Sequence, residues 1–269
     1  MRKIVFWTLA FIIALGSAAY QRLTGPTYPI KGSAKFAGKT IEYTLSRSHE
    51  GVDDQSVGIK IGDIPIDGGL HFKRYGVDEP FAAQLMQFTG DSLIGYLPNQ
   101  PPAGMLEYYV ELKSNGQSVV IPGPQAVVTR FKGDVPGWVL WPHIILIFMG
   151  MLWSNRVGLE ALTSGGKTRK LSLWTLILLI LGGLVLGPLV QKYAFGAFWS
   201  GVPFGWDLTD NKTLIAVLFW IWALWRHRAQ KFPRYAVLVA AIVTLIIFLI
   251  PHSIMGSQLD YTTGEVTHG

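Results

Sequence analysis

Four apolar runs alternate with short polar connectors in the second half of the chain, at about Trp138–Trp153, Leu171–Val190, Thr213–Trp225 and Tyr235–Ile250. A further run, from Ile4 to about Ala19, follows Met1-Arg2-Lys3. Sustained apolarity of this kind predicts helices in lipid, where about 20 residues make a full span. Aromatic residues at the ends extend the shorter runs into the interface, so the helix around Thr213 is expected to begin nearer Leu208. The first run reads as either a cleaved signal or an uncleaved anchor, because Ser17-Ala18-Ala19 also fits a small-residue cleavage site.

Residues 21–135 follow a different period. Lys39-Thr40-Ile41-Glu42-Tyr43-Thr44-Leu45, Val57-Gly58-Ile59-Lys60-Ile61 and Leu70-His71-Phe72-Lys73-Arg74-Tyr75 alternate apolar with polar side chains, between segments of Gly, Pro, Asp and Asn. That period of two predicts half-buried antiparallel strands. In Met105 to Ile121, two such runs flank Ser114-Asn115-Gly116, and Asn-Gly supplies the positive φ angles of a tight hairpin. The number and spacing of runs predict an all-β sandwich of immunoglobulin or fibronectin type.

The expected fold is therefore a membrane α-helical bundle of about five transmembrane helices carrying an exported immunoglobulin/fibronectin-like sandwich. Its parts are an N-terminal anchor or signal at 1–20, the sandwich at 21–135, a four-helix membrane domain at 136–256 and a polar tail at 257–269. Asp134-Val135-Pro136-Gly137 forms the hinge between sandwich and membrane.

Charge orients this arrangement. The chain of 269 residues has a formal net charge of +6, but its basic residues gather beside the apolar runs. Arg156, Lys167, Arg169 and Lys170 fill one connector, and Arg226, Arg228, Lys231 and Arg234 another. The positive-inside rule makes both cytoplasmic and places Arg2 and Lys3 there as well. In a bacterial inner membrane the β domain, the connector at 193–212 and the C-terminus then lie on the periplasmic side. Membrane flanks account for the basic residues, and no nucleic-acid partner is expected. The chain has no cysteine, which excludes disulfides, thiolate metal sites and covalent c-type haem on it.

The connector at 193–212 is not the short polar link usual between membrane helices. It holds Phe195, Phe198, Trp199, Phe204 and Trp206 among glycines and a proline, and ends in Asp207 and Asp210. On the same expected face lie His143, in Trp141-Pro142-His143, and His252, in Ile250-Pro251-His252-Ser253. Two imidazoles at similar depth beside an aromatic shelf suit a bis-histidine haem b site, with His143 and His252 as iron ligands and Trp199, Phe204, Trp206 and Asp207 as cofactor-binding residues. Simpler readings exist for each part. Aromatic loops anchor at interfaces, and Asp207 or Asp210 each suit a helix cap. His49 and His71 read as surface or structural residues, and Asp53, Asp54, Asp63 and Asp67 as turn carboxylates. His227 reads as a cytoplasmic flank, and His268 as part of the polar tail.

Three stretches resemble a known family. Phe195-Gly196-Ala197-Phe198-Trp199-Ser200 with Gly205-Trp206-Asp207, then Lys212-Thr213-Leu214-Ile215-Ala216 leading to Trp225-Arg226-His227, is similar to the tryptophan-rich WWD segment of the haem-handling membrane proteins of cytochrome c maturation (the CcsA/ResC/CcmC kind). Phe248-Leu249-Ile250-Pro251-His252-Ser253 resembles their last haem-side His-Ser. The likeness is strongest over 193–228. It implies that His143 and His252 ligate haem on the outer face over a platform of Trp199, Trp206 and Asp207.

The expected function is thus haem binding and handling, with membrane lipid, other membrane or exported subunits and an apocytochrome c as partners. The alternative is a non-enzymatic accessory subunit of a respiratory membrane complex, with the β domain as docking module. A copper site of His143, His252 and Met255 is a third reading. A haem-handling or structural role is preferred to a conventional enzyme, because nucleophile elbow, Gly-rich phosphate loop and HExxH zinc motif are all lacking.

Overall fold

A computed structural model describes residues 1–62, 65–163, 168–230, 232–252 and 256–267. Asp63, Lys167, Lys231, Ser253, Met255 and His268, on which the sequence reading drew, lie outside them. The chain divides into two compact units, one formed by Met1–Pro26 and Val135–Ser257, the other by Thr27–Asp134 and Gln258–Thr267.

The first unit is helical. It contains α1 (Arg2–Thr24), α2 (Gly137–Leu162), α3 (Thr168–Leu179), α4 (Gly187–Phe195), α5 (Leu208–Ala229) and α6 (Arg234–Leu249). A π-helical segment, Ile180–Leu186, joins α3 to α4, so that 168–195 runs as one rod. Small residues set how closely these helices approach. A Cβ on Gly150 would stand 2.9 Å from the Leu179 side chain, and one on Gly158 2.9 Å from Ala241. Glycine and alanine at such crossings let backbones close up, the usual solution where packing must hold helices together. The N-terminal helix is built into the unit: Ala10 and Ala14 are fully buried, and Trp7 packs edge-on against Trp153 with centroids 4.8 Å apart. At the centre, buried Trp220 donates its indole N–H to Thr244 Oγ1 at 2.9 Å.

The second unit is β-rich. Its strands are β1 (Ile30–Phe36), β2 (Lys39–Leu45), β3 (Ser48–Glu50), β4 (Gln55–Lys60), β5 (Asp67–Arg74), β6 (Ala82–Leu85), β7 (Gln87–Thr89), β8 (Ser92–Leu97), β9 (Met105–Ser114), β10 (Gln117–Ile121), β11 (Val127–Lys132), β12 (Gln258–Leu259) and β13 (Val266–Thr267). The turn at Asn115-Gly116 forms as its residue types demand. Asn115 and Gly116 have φ of 50° and 75°, and Ser114 pairs with Gln117 across the hairpin. Alternation also translates directly into burial, with Gln55, Val57 and Ile59 of β4 inward and Ser56, Gly58 and Lys60 outward.

The expected fold class does not hold. Among the described residues three helices are long and apolar enough to cross a membrane, Arg2–Thr24, Gly137–Leu162 and Thr168–Phe195, rather than about five. The helix α6 has 16 residues, which at ~1.5 Å each falls short of a ~30 Å hydrocarbon layer. Charge interrupts α5 at both ends, with Asp210 and Lys212 in its first turns and Arg226 and Arg228 in its last. Nor do the strands make one immunoglobulin-like sandwich. They divide into a six-stranded sheet (β3-β11-β9-β5-β6, with β10 on β9), a three-stranded sheet (β4-β8-β7) and two hairpins. One pairing, β3 with β11, is parallel. Alternation reports that a strand has one buried face and says nothing of which strand lies beside it, so the sheet count was out of its reach.

Candidate haem-ligand site

His143 sits in the second turn of α2, directly after Pro142. Its Nδ1 is 2.8 Å from the carbonyl oxygen of Gly182 in the π-helical segment. Since a carbonyl can only accept, Nδ1 carries a proton, so in the neutral ring Nε2 is the nitrogen with the free lone pair. Histidines that bind metals are typically oriented by such a bond from their second nitrogen. The Gly182 carbonyl also accepts the Gly187 N–H, the wide i to i+5 turn of a π-helix. Glycine is needed for the approach: a Cβ on Gly182 would come within 3.0 Å of Ile147 N and Leu146 Cβ.

His252 lies just beyond the end of α6. Its side chain is exposed, but desolvation by the surrounding protein still lowers its imidazole pKa, with the Lys212 ammonium and His143 acting in the same direction. The fold therefore brings the two predicted ligands, far apart in sequence, into one electrostatic neighbourhood. The lowered pKa keeps His252 in the neutral form that binds iron. Among the described residues no group of three or more His, Asp or Glu side chains is placed to hold a metal ion.

The predicted platform residues separate into two groups. Phe204 and Trp206 stand out from the unit at 76% and 71% exposure. Trp199 is half-buried and turns its indole N–H to the Val202 carbonyl at 3.1 Å. Asp207 is buried and fully engaged. It is the N-cap of α5, accepting the Thr209 N–H at 2.8 Å through Oδ1, while Oδ2 accepts both the N–H and the hydroxyl of Ser257 at 3.1 and 3.2 Å. Of the two candidate caps, Asp207 performs the task; Asp210 instead accepts the Ser200 N–H at 2.6 Å.

The sequence reading missed the residues that shape the loop. Gln191 donates to Ser200 Oγ, which lies 3.3 Å from Ser257 Oγ. Asn211 Oδ1 accepts the Val202 N–H at 2.8 Å. Buried Lys212 and Gln21 both donate to the Ile250 carbonyl, at 3.1 and 2.8 Å. A density of Ser, Asp, Asn and Lys between apolar helices was the available signal, since such groups are costly to bury without partners. Elsewhere, His71 stacks on Tyr109 with ring planes 5° apart and lies 3.4 Å from Glu111, and His49 bonds the Asp53 carbonyl at 2.7 Å. No protein-family model and no curated protein matches this chain.

Proposed function

We propose that the helical unit is a membrane-embedded haem-binding module of the haem-handling kind associated with cytochrome c maturation, and that His143 and His252 would hold the iron of a haem b. The observation that carries this reading is the bond from His143 Nδ1 to the Gly182 carbonyl, which fixes the tautomer and leaves Nε2 for iron in the neighbourhood of His252. When bound, haem would supply an iron centre with two sites open to imidazole. The chain contributes two neutral ligands, and the exposed Phe204 and Trp206 together with Trp199 offer apolar faces to the porphyrin. Asp207 serves the site from behind, through Ser257. The exposed edge of His252 suits a protein that must release its haem to an acceptor such as an apocytochrome c.

Three apolar helices support placement in a bacterial inner membrane, with Arg2, Lys3, Arg169 and Lys170 at their cytoplasmic ends and the loop and the β-rich unit on the outer side. The β-rich unit would then meet partner subunits.

The test is an optical spectrum of detergent-purified protein, as isolated, after haemin addition and after dithionite, for wild type, His143→Ala and His252→Ala. A Soret band with a b-type reduced spectrum, lost or altered in both variants, is expected. A featureless spectrum after haemin addition would sink the haem reading and leave an accessory-subunit role.

A further inference from the structure

His252 is bracketed by two fastenings. Before it, the Ile250 carbonyl accepts two side-chain hydrogen bonds, from Gln21 of α1 at 2.8 Å and from Lys212 of α5 at 3.1 Å. After it, Ser257 gives its N–H and its hydroxyl to Asp207 Oδ2 at 3.1 and 3.2 Å. Lys212 and Asp207 are each only 3% exposed. The last turn of α6 closes with the Ile250 N–H bonded to the Ile247 carbonyl at 3.2 Å, and the Ile250 carbonyl is one of the end carbonyls that needs an outside partner. Burying the Lys212 ammonium is costly, and the nearby Asp207 carboxylate offsets part of that cost while the Ile250 carbonyl takes its hydrogen bond. What the two fastenings do achieve is to hold both ends of the segment that carries His252 against the start of α5.

We infer that Lys212, Gln21 and Asp207 are positioning residues for His252: they tie down Ile250 and Ser257, on either side of it, so that its imidazole would be held ready to meet iron together with His143. The inference rests on the haem reading above. None of the three needs to touch the haem. A ligand held by locked neighbours loses little freedom on binding, whereas a ligand on an unfastened segment must be ordered by the metal itself. On this view the Trp-Asp-rich stretch serves two ends. Its rings face outward, while its carboxylate and lysine secure a ligand from another part of the chain.

The test uses the full chain in detergent, as wild type, Lys212→Met, Lys212→Arg and Asp207→Asn. Amide hydrogen exchange is followed by mass spectrometry, and each protein is also loaded with haemin. In Lys212→Met, exchange in the peptide spanning 250–257 should rise roughly tenfold, as expected for the loss of a charge-assisted hydrogen bond. Exchange around His143 should stay unchanged. Haem should remain bound through His143 but move from a low-spin to a high-spin spectrum, and Lys212→Arg, which keeps a donor for the carbonyl, should restore both readings. Asp207→Asn should act in the same direction. Unchanged exchange in both Lys212→Met and Asp207→Asn would show that no fastening exists. Faster exchange with an intact low-spin spectrum would show a fastening that does not position the ligand. Failure of the wild type to take up haemin would remove the haem reading and the ligand role, and the exchange result would still decide whether the segment is fastened.

Discussion

His143 and Gly182, on adjacent helices, are joined by a 2.8 Å hydrogen bond from an imidazole N–H to a carbonyl that a π-helical turn has brought to face it. In a regular α-helix each carbonyl points along the axis at the N–H four residues on. The extra residue of a π-turn widens that ring, and such turns occur often at functional sites. Here the turn coincides with Gly182-Gly183, so the same two residues allow close packing and shape the acceptor for His143.

That packing can be tested at Gly183. A Cβ there would collide with the Thr213 side chain on α5 and stand 3.4 Å from Ile147 Cδ1. Gly183→Ala should lower stability by roughly 1–3 kcal/mol, the usual cost of overpacking. Thr213→Ser removes the colliding methyl while keeping the hydroxyl that bonds Thr209 O at 3.3 Å, and should restore most of the loss. Thermal unfolding of the detergent-solubilised single and double variants measures both.

At the centre of the helical unit, Thr244→Val keeps shape but removes the acceptor of the Trp220 indole N–H. Both residues are fully buried, so the N–H is left unpaired and the loss should be about 1–3 kcal/mol. A loss below about 0.5 kcal/mol in the same unfolding assay would mean the indole finds another partner.

In the β-rich unit, the β12–β13 hairpin is tied down by Tyr261. Its hydroxyl accepts the Met105 N–H at 3.0 Å and lies 3.0 Å from Gln100 Oε1 and the Met105 carbonyl. Tyr261→Phe should cost about 1–2 kcal/mol and speed proteolysis within 258–267, while helical-unit peptides keep their cleavage rates.

Acid sensitivity should be traceable to Glu79. Its carboxylate takes hydrogen bonds from Arg74 N at 2.8 Å, Nε at 3.1–3.2 Å and Nη2 at 2.6 Å, and the guanidinium holds its pKa below the ordinary 4.5. A carboxylate with a lowered native pKa contributes stability that is complete above its unfolded value and disappears as pH falls through the native one. Unfolding midpoints of wild type should therefore fall below about pH 4.5, and Glu79→Gln should show a shallower fall over that range. Identical pH profiles would mean that other carboxylates govern the response.

What the sequence determined by itself was local. Apolar runs specify helices and alternation specifies strands, because burial of one face or of all faces leaves a period in the chain. Asn115-Gly116 specifies its turn because positive φ is cheap only for a few residue types. Asp207 could be read as a helix cap because a short carboxylate before a helix meets unpaired N–H groups.

Only the tertiary structure decided the relations between distant parts. Alternation carries no record of strand partners, so the parallel pairing of β3 with β11 and the division into separate sheets emerge from long-range contacts. Apolar runs do not reveal where an α-helix widens into a π-turn, and so could not show that the Gly182 carbonyl faces His143. Aromatic density drew attention to Trp206 and Phe204, which stand exposed, while the buried polar residues beside them do the holding. Asp207 to Ser257 and Lys212 to Ile250 are contacts between segments about 40 to 50 residues apart. Their partners are chosen by the packing of α1, α5 and α6, because a buried charge must find whatever donor or acceptor the neighbouring helix brings to it.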